Sequence, residues 1–100
     1  MTFTERKHKW WEYHKSNPKV YQYFQDFTHD AIKRGAKHCS PWLIVNRIRY
    51  EMYFSTTDKD FKISNDYIAF YSRLFMKWNP KHQGFFKTKP MKGERYASIK

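Results

Sequence analysis

The sequence has few of the residues that form disulfide bonds or phosphate-binding loops. It contains one cysteine, Cys39, and three glycines among its 100 residues. A single cysteine excludes an internal disulfide, which indicates a reducing compartment. Three scattered glycines cannot form the glycine-rich loop with which nucleotide hydrolases hold phosphate, so the sequence argues against that enzyme class.

Long apolar runs are also missing. The run at residues 42–45 is only four residues long, whereas a membrane-spanning helix needs about 20 apolar residues. Residues 1–7 contain no apolar segment of the kind that signal peptides carry. We therefore expect a soluble protein of the cytoplasm with no membrane partner.

Acidic side chains are few compared with basic ones. Nine Asp and Glu stand against 20 Lys and Arg, which gives a formal net charge of +11. A positive potential of this strength attracts phosphate polymers and acidic proteins. Aromatic residues make up 21% of the chain, enough to fill a small core and to leave rings that could stack on bases. DNA is therefore the expected partner, and an acidic protein is the alternative.

Three prolines mark where helices should start. Asn17-Pro18, Ser40-Pro41 and Asn79-Pro80 each place a capping residue before a proline, a pair typical of a helix N-terminus. Thr2 and Glu5 have the spacing of a capping box. Gly35 and Gly84 are the expected stops after the second helix and the last turn. Together these signals predict helices over residues 2–15, 18–34, 41–54 and 64–78, and a short turn over residues 80–83.

Apolar residues recur at helical spacing in three of these segments, which predicts the buried faces. The expected stripes are Val20, Phe24, Phe27 and Ala31; then Ile44, Ile48 and Met52; then Tyr67 or Ile68, Tyr71, Leu74, Phe75 and Trp78. Phe70, Arg73 and Lys77 are assigned to another face of the fourth helix. The prediction is an all-α, compact four-helix domain with helix-turn-helix character over residues 1–86, followed by a basic, flexible tail over residues 87–100.

Two helices compete as the element that contacts DNA. The fourth helix would present Asn65 and Arg73, because recognition helices commonly offer their first turn to base edges. The third helix follows a short loop, residues 35–39, and would present Trp42, Asn46, Arg49 and Tyr53 instead. The spacing leaves both alternatives open. The predicted nucleic-acid contacts are Asn46, Arg47, Arg49, Lys62, Asn65, Arg73, Lys77, Lys87 and Lys89.

Catalytic and metal-binding patterns are weak. His38 and Cys39 are adjacent, which is poor spacing for structural zinc. The sequence identifies no general base that could activate Cys39 as a nucleophile. Asp58 and Asp60 could hold Mg²⁺ in a minimal nuclease site, which gives a third hypothesis. We predict a non-enzymatic protein without metal or cofactor.

Several segments together resemble a family of small phage and prophage proteins. They are Asn17-Pro18, Arg47-Ile48-Arg49-Tyr50, residues 61–67 (FKISNDY), Tyr71-Ser72-Arg73, Pro80 and Phe85-Phe86. Members of that family carry Asn where this chain has Ser64 and Asp66, which weakens base reading at those two positions. The resemblance implies a phage context, hence the host cytoplasm, and implies no mechanism.

Overall fold

The computed structural model describes residues 2–57 and 61–88, and these form an all-α fold. The elements are α1 (Phe3–Ser16), α2 (Pro18–Lys33), α3 (Pro41–Ser55), α4 (Asn65–Trp78) and a 3₁₀ turn (Pro80–His82). The four predicted helices are confirmed, with ends within two residues of those expected. Of the predicted basic tail, only Lys87 and Thr88 belong to the described residues.

The capping box at the start of α1 is present in both directions. The backbone N–H of Glu5 donates to the Thr2 hydroxyl, and the backbone N–H of Thr2 donates to the Glu5 carboxylate, each over 3.1 Å. These bonds satisfy two backbone donors that a helix N-terminus otherwise leaves unpaired. The prediction made from the spacing of Thr2 and Glu5 is confirmed.

Gly35 ends α2 as predicted, and the geometry explains why glycine stands there. Its φ is +100°, in the left-handed region that other residues rarely adopt. The N–H of Gly35 bonds to the Ile32 carbonyl and that of Ala36 to the Ala31 carbonyl, each over 3.0 Å. This is the Schellman pattern, which satisfies carbonyls that the last helical turn leaves free.

The two Asn-Pro pairs start helices as predicted, but their asparagines do not cap them. The side-chain amides of Asn17 and Asn79 donate backward, to the carbonyls of Tyr13 and Phe75 over 3.0 and 2.9 Å. Neither side chain caps the element that follows. Each asparagine therefore ends the preceding helix. The expected N-cap bond was wrong at these sites, and it is present at Ser40, whose hydroxyl accepts from the N–H of Trp42.

Helix α4 is the centre of the fold. Eight of its 14 residues are buried, and it contacts α1, α2, α3 and the 3₁₀ turn. Phe70, left out of the predicted buried stripe and assigned to another face, is buried against Phe3 and Trp10 of α1, with ring centroids 5.6 and 5.3 Å apart. Trp78, assigned to the buried stripe, is 50% exposed at the end of α4. Phe70 is buried because α1 covers a second face of α4. Trp78 is the last residue of the helix, where its ring contacts Tyr21 but stays half exposed.

The buried faces of α2 and α3 follow the predicted periodicity closely. Val20 and Phe24 are buried in α2, whereas Phe27 and Ala31 are half-buried at the edge of the core. Thr28 is fully buried, and its hydroxyl donates to the Phe24 carbonyl over 2.7 Å. A buried hydroxyl without such a bond would be costly. In α3 the buried residues are Ile44, Val45 and Ile48, and Met52 is half-buried.

Candidate nucleic-acid interface

An open groove of about 610 Å³ separates the start of α3 from the middle of α4. Three of the predicted contact residues line it: Asn65, Arg73 and Lys87. They lie up to 22 positions apart in the sequence, and the fold brings them together. Trp42, 48% exposed, forms part of the wall. The groove therefore combines two basic side chains, an amide and an accessible indole.

The N-terminus of α3 borders this groove and adds a positive partial charge. Ser40, Pro41 and Trp42 all line the groove. The helix dipole makes this N-terminus favourable for an anion, although Pro41 has no N–H and the N–H of Trp42 already donates to Ser40. His38, exposed in the loop before α3, also lines the groove. Sequence reasoning considered His38 only as a zinc ligand, because a loop residue has no periodicity that would place it beside α4.

Arg49 makes three hydrogen bonds, two of which join α3 to the start of α4. Its Nη2 donates to the Ile63 carbonyl over 2.7 Å and to Asn65 Oδ1 over 2.9 Å. Its Nη1 donates to Asn46 Oδ1 over 3.0 Å. Three predicted contact residues, Asn46, Arg49 and Asn65, therefore form one network that continues into the groove through Asn65. The role of Arg49 in the described structure is to position the two asparagines.

This network decides what the two asparagines can offer a ligand. Each oxygen accepts one hydrogen bond from the Arg49 guanidinium, which leaves one lone pair of that oxygen and the NH₂ group for a partner. Reading adenine by asparagine uses the oxygen and the NH₂ together. A side chain whose oxygen is already engaged is better suited to donate to an acceptor such as a phosphate oxygen. The geometry therefore favours backbone contacts over adenine reading at Asn46 and Asn65.

Arg73 lines the groove, whereas two other predicted residues, Lys77 and Lys62, lie outside it. Arg73 is half-buried, and its Nη1 donates to the Ala69 carbonyl one turn earlier over 3.0 Å. Lys77 is exposed one turn beyond Arg73 and does not line the groove. The exposed Lys62 precedes α4, and its carbonyl accepts from the Tyr13 hydroxyl over 2.9 Å. That bond ties the segment before α4 to α1.

Arg47 lies apart from the groove. Its Nη1 contacts Asp30 Oδ2 over 2.9 Å, and its guanidinium lies 4.0 Å from the centre of the Phe27 ring. The hydrogen bond from Arg47 holds the pKa of Asp30 below its usual value. The charge of Arg47 is therefore engaged by α2, although sequence reasoning grouped Arg47 with Arg49.

The burial of the two competing helices differs. The exposed residues of α4 are confined to its two ends, Asn65 and Asp66 at the start and Lys77 and Trp78 at the end. A helix that lies in the major groove needs a continuous exposed face, and α4 has none. On α3, Trp42, Asn46 and Tyr53 are exposed and Arg49 is half-buried. Burial therefore favours α3 as the helix that contacts a ligand.

Cys39 lines the same groove. It is half-buried, and its thiol donates to the Ser40 carbonyl over 3.4 Å. Burial raises the pKa of this thiol, whereas a nucleophilic cysteine needs a lowered one. Among residues 2–57 and 61–88, no three His, Cys, Asp or Glu side chains cluster as metal ligands would. Asp58 and Asp60 lie outside the described residues, so the nuclease hypothesis stays a prediction. The predicted DNA contact Lys89 also lies outside them.

Comparison with protein-family models, curated proteins and solved structures finds no match to this chain. The resemblance to small phage proteins therefore stays a prediction. Within the part of the chain that the structure describes, no helix combines the length and apolar character of a membrane span.

Proposed function

We propose that this chain is a non-enzymatic DNA-binding accessory protein of phage or prophage type, which holds nucleic acid in the groove between α3 and α4. The observation that supports this most directly is the convergence of Asn65, Arg73 and Lys87 in one groove beside an exposed tryptophan. A chain of net charge +11 attracts DNA from a distance. The groove gives the polymer a place to bind.

In this proposal the groove contacts mainly the backbone. Arg73 and Lys87 neutralise phosphates, and the release of counterions supplies most of the binding free energy. The NH₂ groups of Asn46 and Asn65 donate to phosphate oxygens. Trp42 stacks on an unpaired base, a contact that tolerates any sequence because every base has a π-face. We therefore propose weak dependence on base sequence and strong dependence on salt.

The test is fluorescence anisotropy with labelled single-stranded and duplex DNA over a series of salt concentrations. A double variant, Arg73→Gln with Lys87→Gln, removes the two groove cations. The expected result is weaker binding and a log-log salt slope smaller by nearly 2, since each phosphate contact contributes about 0.9 on duplex DNA. Lys9→Gln with Lys33→Gln is the matched control, because both lysines are exposed and neither lines the groove.

Either of two results would contradict the proposal. Equal losses in the groove variant and the control would mean that binding depends on total charge alone. No binding of the unaltered protein to either DNA at low salt would remove nucleic acid as its partner. Circular dichroism of each variant controls for folding, since Arg73 also bonds within α4.

An acidic host protein is the alternative partner, because the same cations would contact carboxylates. Purification separates the two cases. A nucleic-acid binder purifies with excess absorbance at 260 nm that high salt removes, whereas a protein binder retains a defined host band. The nuclease hypothesis predicts Mg²⁺-dependent nicking that Asp58→Ala or Asp60→Ala abolishes.

A further inference from the structure

The outward face of α3 carries large apolar side chains that the described fold leaves uncovered. Leu43, Tyr50, Tyr53 and Phe54 are 62 to 68% exposed, and we refer to these four residues as the α3 face. The Phe54 ring lies 5.1 Å from that of Tyr50 and 5.0 Å from that of Tyr53. Positions 43, 47, 50 and 54 repeat at the four-three-four spacing with which one helix packs along another.

The charge around the α3 face does not suit a polyanion. No lysine stands between Pro41 and Ser55. Arg47 lies within the stripe, but its guanidinium is held by Asp30 and Phe27 of α2. The half-buried Glu51 adds a negative charge beside it. On a chain of net charge +11, the α3 face is a surface where a second strongly basic molecule can approach with little repulsion.

We propose that two copies of this chain associate through their α3 faces. Aromatic side chains cover about 150 to 250 Å² each, so the four exposed side chains present roughly 500 Å² per copy. With Arg47 between them, the pair would bury about 1,200 Å² in total, the lower limit of specific protein–protein interfaces. An apolar patch of this size is near the upper end of those on typical monomers, and patches of this kind often mark an interaction site.

The two α3 helices pack antiparallel in this dimer. The groove, with His38, Arg73 and Lys87, lies at the N-terminal end of α3. Parallel packing would bring two cationic grooves side by side, whereas antiparallel packing places them at opposite ends. It also aligns the helix dipoles favourably. In the symmetric register, Leu43 faces Phe54 of the second copy and Arg47 faces Tyr50.

The first test is sedimentation velocity of the full chain between about 1 and 100 µM, because the population of a weak dimer depends on concentration. We expect a shift from monomer to dimer that persists at high salt, which strengthens apolar association. Leu43→Glu with Phe54→Glu should leave only monomer. Thr4→Glu with Gln22→Glu adds the same charge at exposed positions away from the α3 face and should leave the dimer intact.

Orientation is tested by placing opposite charges in one chain, as Leu43→Glu with Phe54→Lys. In the antiparallel register each new glutamate faces a new lysine of the second copy, so this variant should dimerise more than the double glutamate variant. In a parallel dimer like charges would meet. Equal monomer fractions for the two variants would therefore contradict the antiparallel arrangement.

DNA binding is measured for the same variants, and the outcomes separate the dimer from the proposed function. A monomeric α3-face variant that still binds DNA with the original salt slope supports a dimer contact distinct from the groove. An unaltered protein that stays monomeric at every concentration overturns the dimer and leaves the groove proposal standing. If the unaltered protein is monomeric and the α3-face variants lose DNA affinity, the face contacts nucleic acid and the dimer is wrong.

Discussion

Replacing Arg49 with methionine should destabilise the fold by about 2 kcal/mol. The bond from the cationic guanidinium to the half-buried Ile63 carbonyl is worth about 1 to 1.5 kcal/mol. The two bonds to Asn46 and Asn65 are exposed to water and add about 0.5 kcal/mol each. Methionine keeps the length and the apolar stem of the side chain, so the loss reports the three donated bonds.

The assay is urea denaturation followed by tryptophan fluorescence or circular dichroism. A loss of about 2 kcal/mol lowers the midpoint by roughly 1 to 2 M urea for a domain of this size. Arg47→Met is the matched control on the same helix. Its exposed ion pair with Asp30 and its contact with the Phe27 ring are together worth about 1 kcal/mol. If Arg49→Met costs no more than Arg47→Met, water replaces the guanidinium at Ile63 and the positioning role of Arg49 is refuted.

Three further substitutions test particular features of the fold. Burial lowers the pKa of His14 in the folded protein. Below the unfolded-state pKa of about 6.5, the unfolded chain gains a proton that the folded chain resists, so the protein becomes less stable as the pH is lowered. His14→Phe should reduce this loss of stability at low pH. An equal pH dependence of the urea midpoint in both proteins would contradict this. The hydroxyl of the buried Tyr21 has no hydrogen-bond partner among the described residues, so Tyr21→Phe should raise the thermal midpoint, by about 1 kcal/mol of stability; a lower midpoint would show that the hydroxyl is satisfied. Gly35→Ala forces a β-carbon into a φ of +100° and should cost about 1 kcal/mol or more, and an unchanged midpoint would mean that the end of α2 adopts another turn.

Local signals predicted the helices well because each depends on neighbouring residues. The capping box at Thr2, the prolines and Gly35 act within one turn of the chain, so spacing alone places them. The capping direction of Asn17 and Asn79 could not be predicted in this way. An asparagine between two helices can bond to either one, and only the backbone geometry decides. Phe70 and Trp78 were misassigned because periodicity shows which residues share a face, whereas tertiary packing decides which faces are covered.

The candidate site was predictable in its residue types and much less so in its geometry. Asn65 and Arg73 were predicted as contact residues of the fourth helix and Lys87 as part of the basic tail, and the fold brings the three together. Arg47 and Arg49 are two positions apart and looked equivalent in the sequence. Asp30 engages the first and the Ile63 carbonyl engages the second, and both partners are distant in sequence. His38 was missed as a groove residue for the same reason.

The most direct measurement of groove occupancy uses Cys39, the one cysteine of the chain, as a built-in probe. Its alkylation by N-ethylmaleimide is timed at slightly alkaline pH with and without single-stranded and duplex DNA, since its raised pKa slows the reaction near neutrality. If nucleic acid occupies the groove, DNA slows the alkylation, high salt restores the rate, and Arg73→Gln with Lys87→Gln loses the protection. DNA that binds by anisotropy and leaves the rate of Cys39 alkylation unchanged would contradict the account.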